Sequence, residues 1–143
     1  MFTLHLRLRW LVPPVILFDT LMTLLGQPAS YWQQPATAVE GNAFFGWFIV
    51  RGLTFFLVTS ALYVIAAFLL SSYLPRRLAT VAALAFILGH YFGASSWLAF
   101  SFGFGVSAAV LYGTLLAVVL TWMLRPAKAA EASRTARQSS GRR

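Results

Sequence analysis

The chain has 143 residues, of which 59% are hydrophobic and 10% charged, with a formal net charge of +8. Soluble domains carry about 25% charged residues, so this composition excludes an ordinary water-facing globular surface; the mean hydropathy of +0.75 agrees. The absence of cysteine excludes intrachain disulfides, thiolate metal sites, iron–sulfur clusters and thiol catalysis.

The positive charge sits at the ends of apolar runs, where anionic headgroups attract it, so the expected partner is the lipid bilayer and not nucleic acid. Four apolar runs follow one another, at about 10–26, 43–73, 78–101 and 104–124. Each approaches or exceeds the ~20 residues that cross a bilayer as a helix. The runs are continuous, not alternating, which predicts helices and not barrel strands. The expected fold is all-α, a four-transmembrane-helix bundle over residues 1–124.

The first run, Trp10 to Gly26, contains Pro13, Pro14 and Asp19. Arg7 and Arg9 before it resemble the basic start of a signal peptide, but the two prolines and Asp19 spoil the apolar stretch, and no Ala-x-Ala site follows. It is therefore read as a retained helix. Residues 27–42 form an outer loop holding Pro28, Tyr31, Trp32, Pro35 and Glu40, whose aromatic residues suit the headgroup zone. The second run contains Arg51, and the third starts after Arg76 and Arg77. Residues 125–143 are rich in Ala, Ser and Arg and are expected to be a disordered basic tail lying against anionic lipid.

Orientation follows from the short flanks. Ten basic residues (Arg7, Arg9, Arg76, Arg77, Arg125, Lys128, Arg134, Arg137, Arg142 and Arg143) fall on one side, and the segment from Gln27 to Asn42 has none. The positive side is cytoplasmic, so both termini are expected inside the cell (N-in/C-in).

Ionisable groups within hydrocarbon are costly and mark the first places to look for function. Counting ~1.5 Å per residue from the cytoplasmic arginines places Asp19 at ~15 Å and His90 at ~20 Å, near the middle of a ~30 Å core. The two meet if the first and third helices touch. They would then form a proton relay, an ion or ligand site, or a hydrogen-bonded pair that fixes helix contacts. Alternatively, a protonated Asp19 is satisfied by Thr20, Thr23 or a neighbour. Arg51 counts to the outer rim, where Glu40 and Asn42 make a second polar site with it. Arg51 pairs there with Glu40, or with Asp19 if helix two tilts strongly or helix one is broken.

No catalytic, cofactor or metal constellation is expected. Haem ligation by two histidines would need a second buried His, and His5 lies in the cytoplasmic flank. Ser95 and Ser96 stand five and six residues after His90 and so do not face it on a helix. Small residues at helical spacing, Gly89 with Gly93 and Ala109 with Gly113, are expected to serve close helix packing, within the chain or against another subunit.

The stretch Asp19-Thr20-x-x-Thr23, with Gly26-Gln27-Pro28, Tyr31-Trp32 and Glu40-Gly41-Asn42, resembles small bacterial multi-pass membrane proteins of uncharacterised activity. These have an Asp in the first helix and a Glu-x-Asn-Pro start to the second. Ala43 stands here in place of the Pro. The resemblance covers about a third of the chain. It implies a multi-helix fold and a bacterial source, and it supplies no activity.

Three functions are open on this reading. The leading expectation is a non-enzymatic accessory or scaffold-like subunit of a bacterial inner-membrane assembly, in contact with other membrane subunits or with itself. The second is a proton-coupled transporter or channel for small solutes using Asp19 and His90. The third is an intramembrane enzyme acting on lipid-like substrates at the outer face through Glu40, Asn42 and Arg51.

Overall fold

The computed structural model describes residues 7–102 and 105–124, and every regular element in them is helical. His5 and the basic tail, including Arg125, Lys128, Arg134, Arg137, Arg142 and Arg143, lie outside the described residues.

Helix α1 spans Val12–Leu25. Pro13 and Pro14 fall in its first turn, where backbone N–H groups have no helical partner in any case, so the prolines start the helix instead of breaking it. The helix stops at Gly26, ahead of Pro28. Gly26 is required sterically: a Cβ there would collide with the Trp97 ring. Two short 3₁₀ helices, Ala29–Trp32 and Pro35–Thr37, follow in the loop.

The apolar run at 43–73, expected as one helix, is two. Helix α2 spans Ala43–Ile49 and helix α3 spans Leu53–Tyr73. Asn42 starts α2 by accepting N–H bonds from Phe44 at 3.0 Å and Phe45 at 3.4 Å, the usual work of an N-cap. The break lies at Gly52, whose φ of +113° and ψ of 163° belong to a region that is essentially glycine-only. Hydropathy cannot register this break, because a glycine costs an apolar run almost nothing.

Leu74 is extended ahead of Pro75, as a residue before proline prefers. Helix α4, Arg76–Phe100, begins there, and helix α5 spans Gly105–Leu124.

Helix α4 is the hub, packing against α1, α3 and α5, while α1 also touches α3 and α2 rests on α3. Its buried positions include Ala79, Ala83 and Ala94, small side chains that let backbones approach closely. The main core joins Leu8, Val12, Val15 and Ile16 to Ala67 of α3, Ala83 and Ile87 of α4, and Leu116 of α5. A second cluster of Tyr31, Ile49 and Phe56 pins the loop to the α2–α3 junction.

Three helices are long and apolar enough to cross a membrane: Leu53–Tyr73, Arg76–Phe100 and Gly105–Met123. Only 11–22% of each span is buried inside the chain, so their outward apolar faces need hydrocarbon instead of water. Exposed Leu62, Ile65, Val81, Leu115 and Val118 make up part of that surface. The chain is a helical membrane protein. Helix α1, at 14 residues, covers ~21 Å and is shorter than the other three.

Candidate functional site

The contact between α1 and α4 brings together two residues 71 positions apart. Nδ1 of His90 lies 2.7 Å from Oδ2 of Asp19, and both side chains are largely buried. The opposite ring nitrogen, Nε2, lies 3.3 Å from the Tyr63 hydroxyl of α3. With Asp19 ionised, Nδ1–H donates to the carboxylate. Nε2 then either accepts from the Tyr63 O–H or, on an imidazolium, donates to its oxygen. Acid, imidazole and phenol from three helices thus form one hydrogen-bonded chain.

Gly93 makes the arrangement possible. It stands one turn after His90, and a Cβ there would lie 2.6–2.7 Å from the Asp19 carboxylate oxygens. Its partner in the Gly-x-x-x-Gly spacing, Gly89, meets nothing within 4 Å and instead lines a cavity. Gly113 gives its space to the Tyr91 hydroxyl, and Ala109 is half-buried. Gly93 and Gly113 therefore serve contacts within the chain, whereas Gly89 supplies empty volume.

The cavity holds about 680 Å³, within the ~300–1,000 Å³ typical of small-molecule sites. Asp19, His90 and Tyr63 lie on its wall, with Thr20 and Thr23 of α1 beside them. Glu40 and Asn42 of the loop also line it, and the aromatic walls include Phe45, Phe56, Phe86 and Trp97. Tyr63 is the member that sequence reasoning missed. It stands thirteen residues before Arg76, as His90 stands thirteen after Arg77. The depth count that singled out His90 therefore also marks Tyr63.

Gln27 brings the loop to the cavity. Its buried side chain donates to the carbonyls of Thr23 at 3.0 Å and Val39 at 2.8 Å, and it accepts from the Val39 N–H at 2.9 Å. One amide thus pairs with the Val39 backbone as a neighbouring strand would, and Glu40 follows directly. Glu40 in turn accepts from the Asn42 N–H at 2.8 Å. Burial pushes the Glu40 carboxyl above the usual carboxylate range. The charge of Asp19 adds to this rise, and the Asn42 and Gly41 N–H groups oppose it.

The expected outer site of Glu40, Asn42 and Arg51 does not assemble. Arg51 is exposed, with its guanidinium 3.4 Å from the Trp47 ring centroid, and its Nη1 donates to the Trp47 carbonyl. It pairs with neither Glu40 nor Asp19, and it does not line the cavity. The α2–α3 break explains this. Arg51 follows Trp47 by four residues just past the end of α2, and Gly52 separates it from the α3 face that meets the cavity. Among the described residues, no three His, Asp or Glu side chains are grouped to hold a metal ion.

The site and fold together define a helical membrane protein with a polar-headed, aromatic-walled cavity beside its longest span. Comparison with family models, curated proteins and solved structures gives no match.

Proposed function

We propose that this chain is a four-pass protein of the bacterial inner membrane, with both termini cytoplasmic, that binds a small solute in the α1–α3–α4 cavity. The solute moves across the membrane in exchange for, or together with, a proton held by the Asp19–His90 pair. In this reading α1 is the short fourth crossing, and the loop holding Glu40 faces outward. The observation that carries it is the Asp19–His90–Tyr63 chain opening onto a cavity of ligand size. Intramembrane acid and imidazole side chains are costly to insert and mark ion and proton paths, and His changes charge near neutral pH.

Less supports the accessory-subunit reading, since two of the small residues that would form a docking face are used inside the chain. The lipid-directed enzyme loses Arg51, one of its three residues, from the site.

Proteoliposomes with an internal pH dye test the proposal. Adding solute should move protons in wild type, and Asp19→Asn should abolish the movement while the protein stays folded. Absence of solute-dependent proton movement in wild type, across cationic, neutral and anionic solutes, overturns it.

A further inference from the structure

The cavity's charge and walls narrow the class of solute, on the reading that it binds one at all. Two carboxylates face the space, Asp19 and Glu40, and among the described residues no Lys or Arg lines it. Arg51, in the turn between α2 and α3, is turned onto Trp47. Of the two carboxylates, Asp19 is engaged through Oδ2 with His90, while its Oδ1 is buried without a hydrogen-bond partner. With Glu40 ionised, a charged His90 neutralises Asp19 and leaves the cavity one negative charge, and a neutral His90 leaves a larger one. An anion would have to enter against that field. A neutral solute would leave it uncompensated.

The walls favour bulk and delocalised charge over a bare ion. Rings of Phe45, Phe56, Phe86 and Trp97 border the space, and aromatic faces attract organic cations when water is excluded. A metal site built on acidic and imidazole side chains would gather three of them on one point, and no such group of His, Asp or Glu is found among the described residues. Gly89 and Ala85, both exposed on α4 and one turn apart, leave that stretch of wall without side-chain cover. This widens the space for an apolar body beside the charged head.

We infer that the cavity takes a bulky organic monocation, with its charge between Glu40 and Asp19 and its apolar part against the aromatic wall and the Ala85–Gly89 strip.

A pair of probes of matched shape and opposite charge tests this: tetraphenylphosphonium and tetraphenylborate. Binding to the full chain in lipid nanodiscs is read by scintillation proximity. The cation should bind saturably and the anion should not. Glu40→Gln should weaken the cation about tenfold, the effect of losing one partly desolvated charge contact. Gly89→Leu fills the empty wall without altering charge and should also remove binding. Saturable binding of the borate as tight as that of the phosphonium overturns the inference. So does phosphonium binding unchanged in both variants. Proton movement driven by a neutral or anionic solute, with no phosphonium binding, sinks the cation class and leaves the transport reading standing. Loss of both sinks both.

Discussion

Nδ1 of His90 and Oδ2 of Asp19 sit 2.7 Å apart across the α1–α4 contact, and no other residue of α1 is joined to α4 by a side-chain hydrogen bond among the described residues. This one bond links the 14-residue helix α1 to the hub of the bundle. The apolar core packs α1 on α4, and this bond is the polar contact on which the proposed chemistry turns.

Removing either member should be costly, but unequally. Asp19→Ala strands one imidazole nitrogen. His90→Ala strands a carboxylate that already has one oxygen without a partner. The expected losses are about 1–3 kcal/mol for Asp19→Ala and, at a pH where Asp19 is ionised, about 3–5 kcal/mol for His90→Ala, since an uncompensated buried charge costs more than an unmet neutral group. The double variant should lose less than the sum of the two. Denaturant titration of all four proteins in one detergent measures the cycle, and strict additivity would mean that the pair does not interact.

The two glycines of α4 should respond in opposite ways. Gly93→Ala forces a methyl group into the Asp19 carboxylate, and overpacking of this kind costs about 1–3 kcal/mol. Gly89→Ala meets open space and gains up to ~1 kcal/mol of helix propensity. Thermal unfolding in detergent should therefore separate the two variants in sign. Equal shifts would show that the Gly-x-x-x-Gly pair acts as a single packing unit.

Gln27 should govern the order of the loop. Gln27→Ala removes three hydrogen bonds to the backbone of Thr23 and Val39, at a net cost of about 1–3 kcal/mol. Amide hydrogen exchange should accelerate at Val39 while the α3 and α4 amides stay protected. Unchanged exchange at Val39 would mean that the Tyr31–Ile49–Phe56 cluster holds the loop by itself.

The Glu40 carboxyl should make stability fall as pH rises. Burial raises its folded value above the unfolded one, so between the two values the folded state holds the proton more tightly. Stability is then full below the unfolded value of about 4.3 and is lost as pH climbs through the folded value. Glu40→Gln should flatten that decline. A cation bound beside the ionised carboxylate should displace the proton, so tetraphenylphosphonium affinity should rise through the same window. Melting curves and binding isotherms across pH check both.

Tyr31 is a case in which deleting a polar group should help. Its ring is almost fully buried and its hydroxyl has no hydrogen-bond partner. Tyr31→Phe keeps the packing on Ile49 and Phe56 and removes an unmet polar atom, which costs about 1–3 kcal/mol when buried. The variant should be as stable as wild type or more so by chemical denaturation. A clear loss would reveal a partner for the hydroxyl.

Amino-acid order alone determined the membrane environment and the helical class. Both rest on local quantities: run length, charge scarcity and the Arg76–Arg77 pair that parts the second run from the third. It also located Asp19 and His90 as costly groups at matching depth, because depth is a count along a helix from a charged flank. What a linear count lacks is rotation about the helix axis and long-range pairing. Only the tertiary structure decided that α1 lies against α4, that Tyr63 completes the chain from α3, and that Gln27 folds the loop back so that Glu40 reaches the cavity. The break at Gly52 was likewise decided by a backbone angle and not by polarity. That angle carried Arg51 away from the acids which a charge-matching argument would have given it.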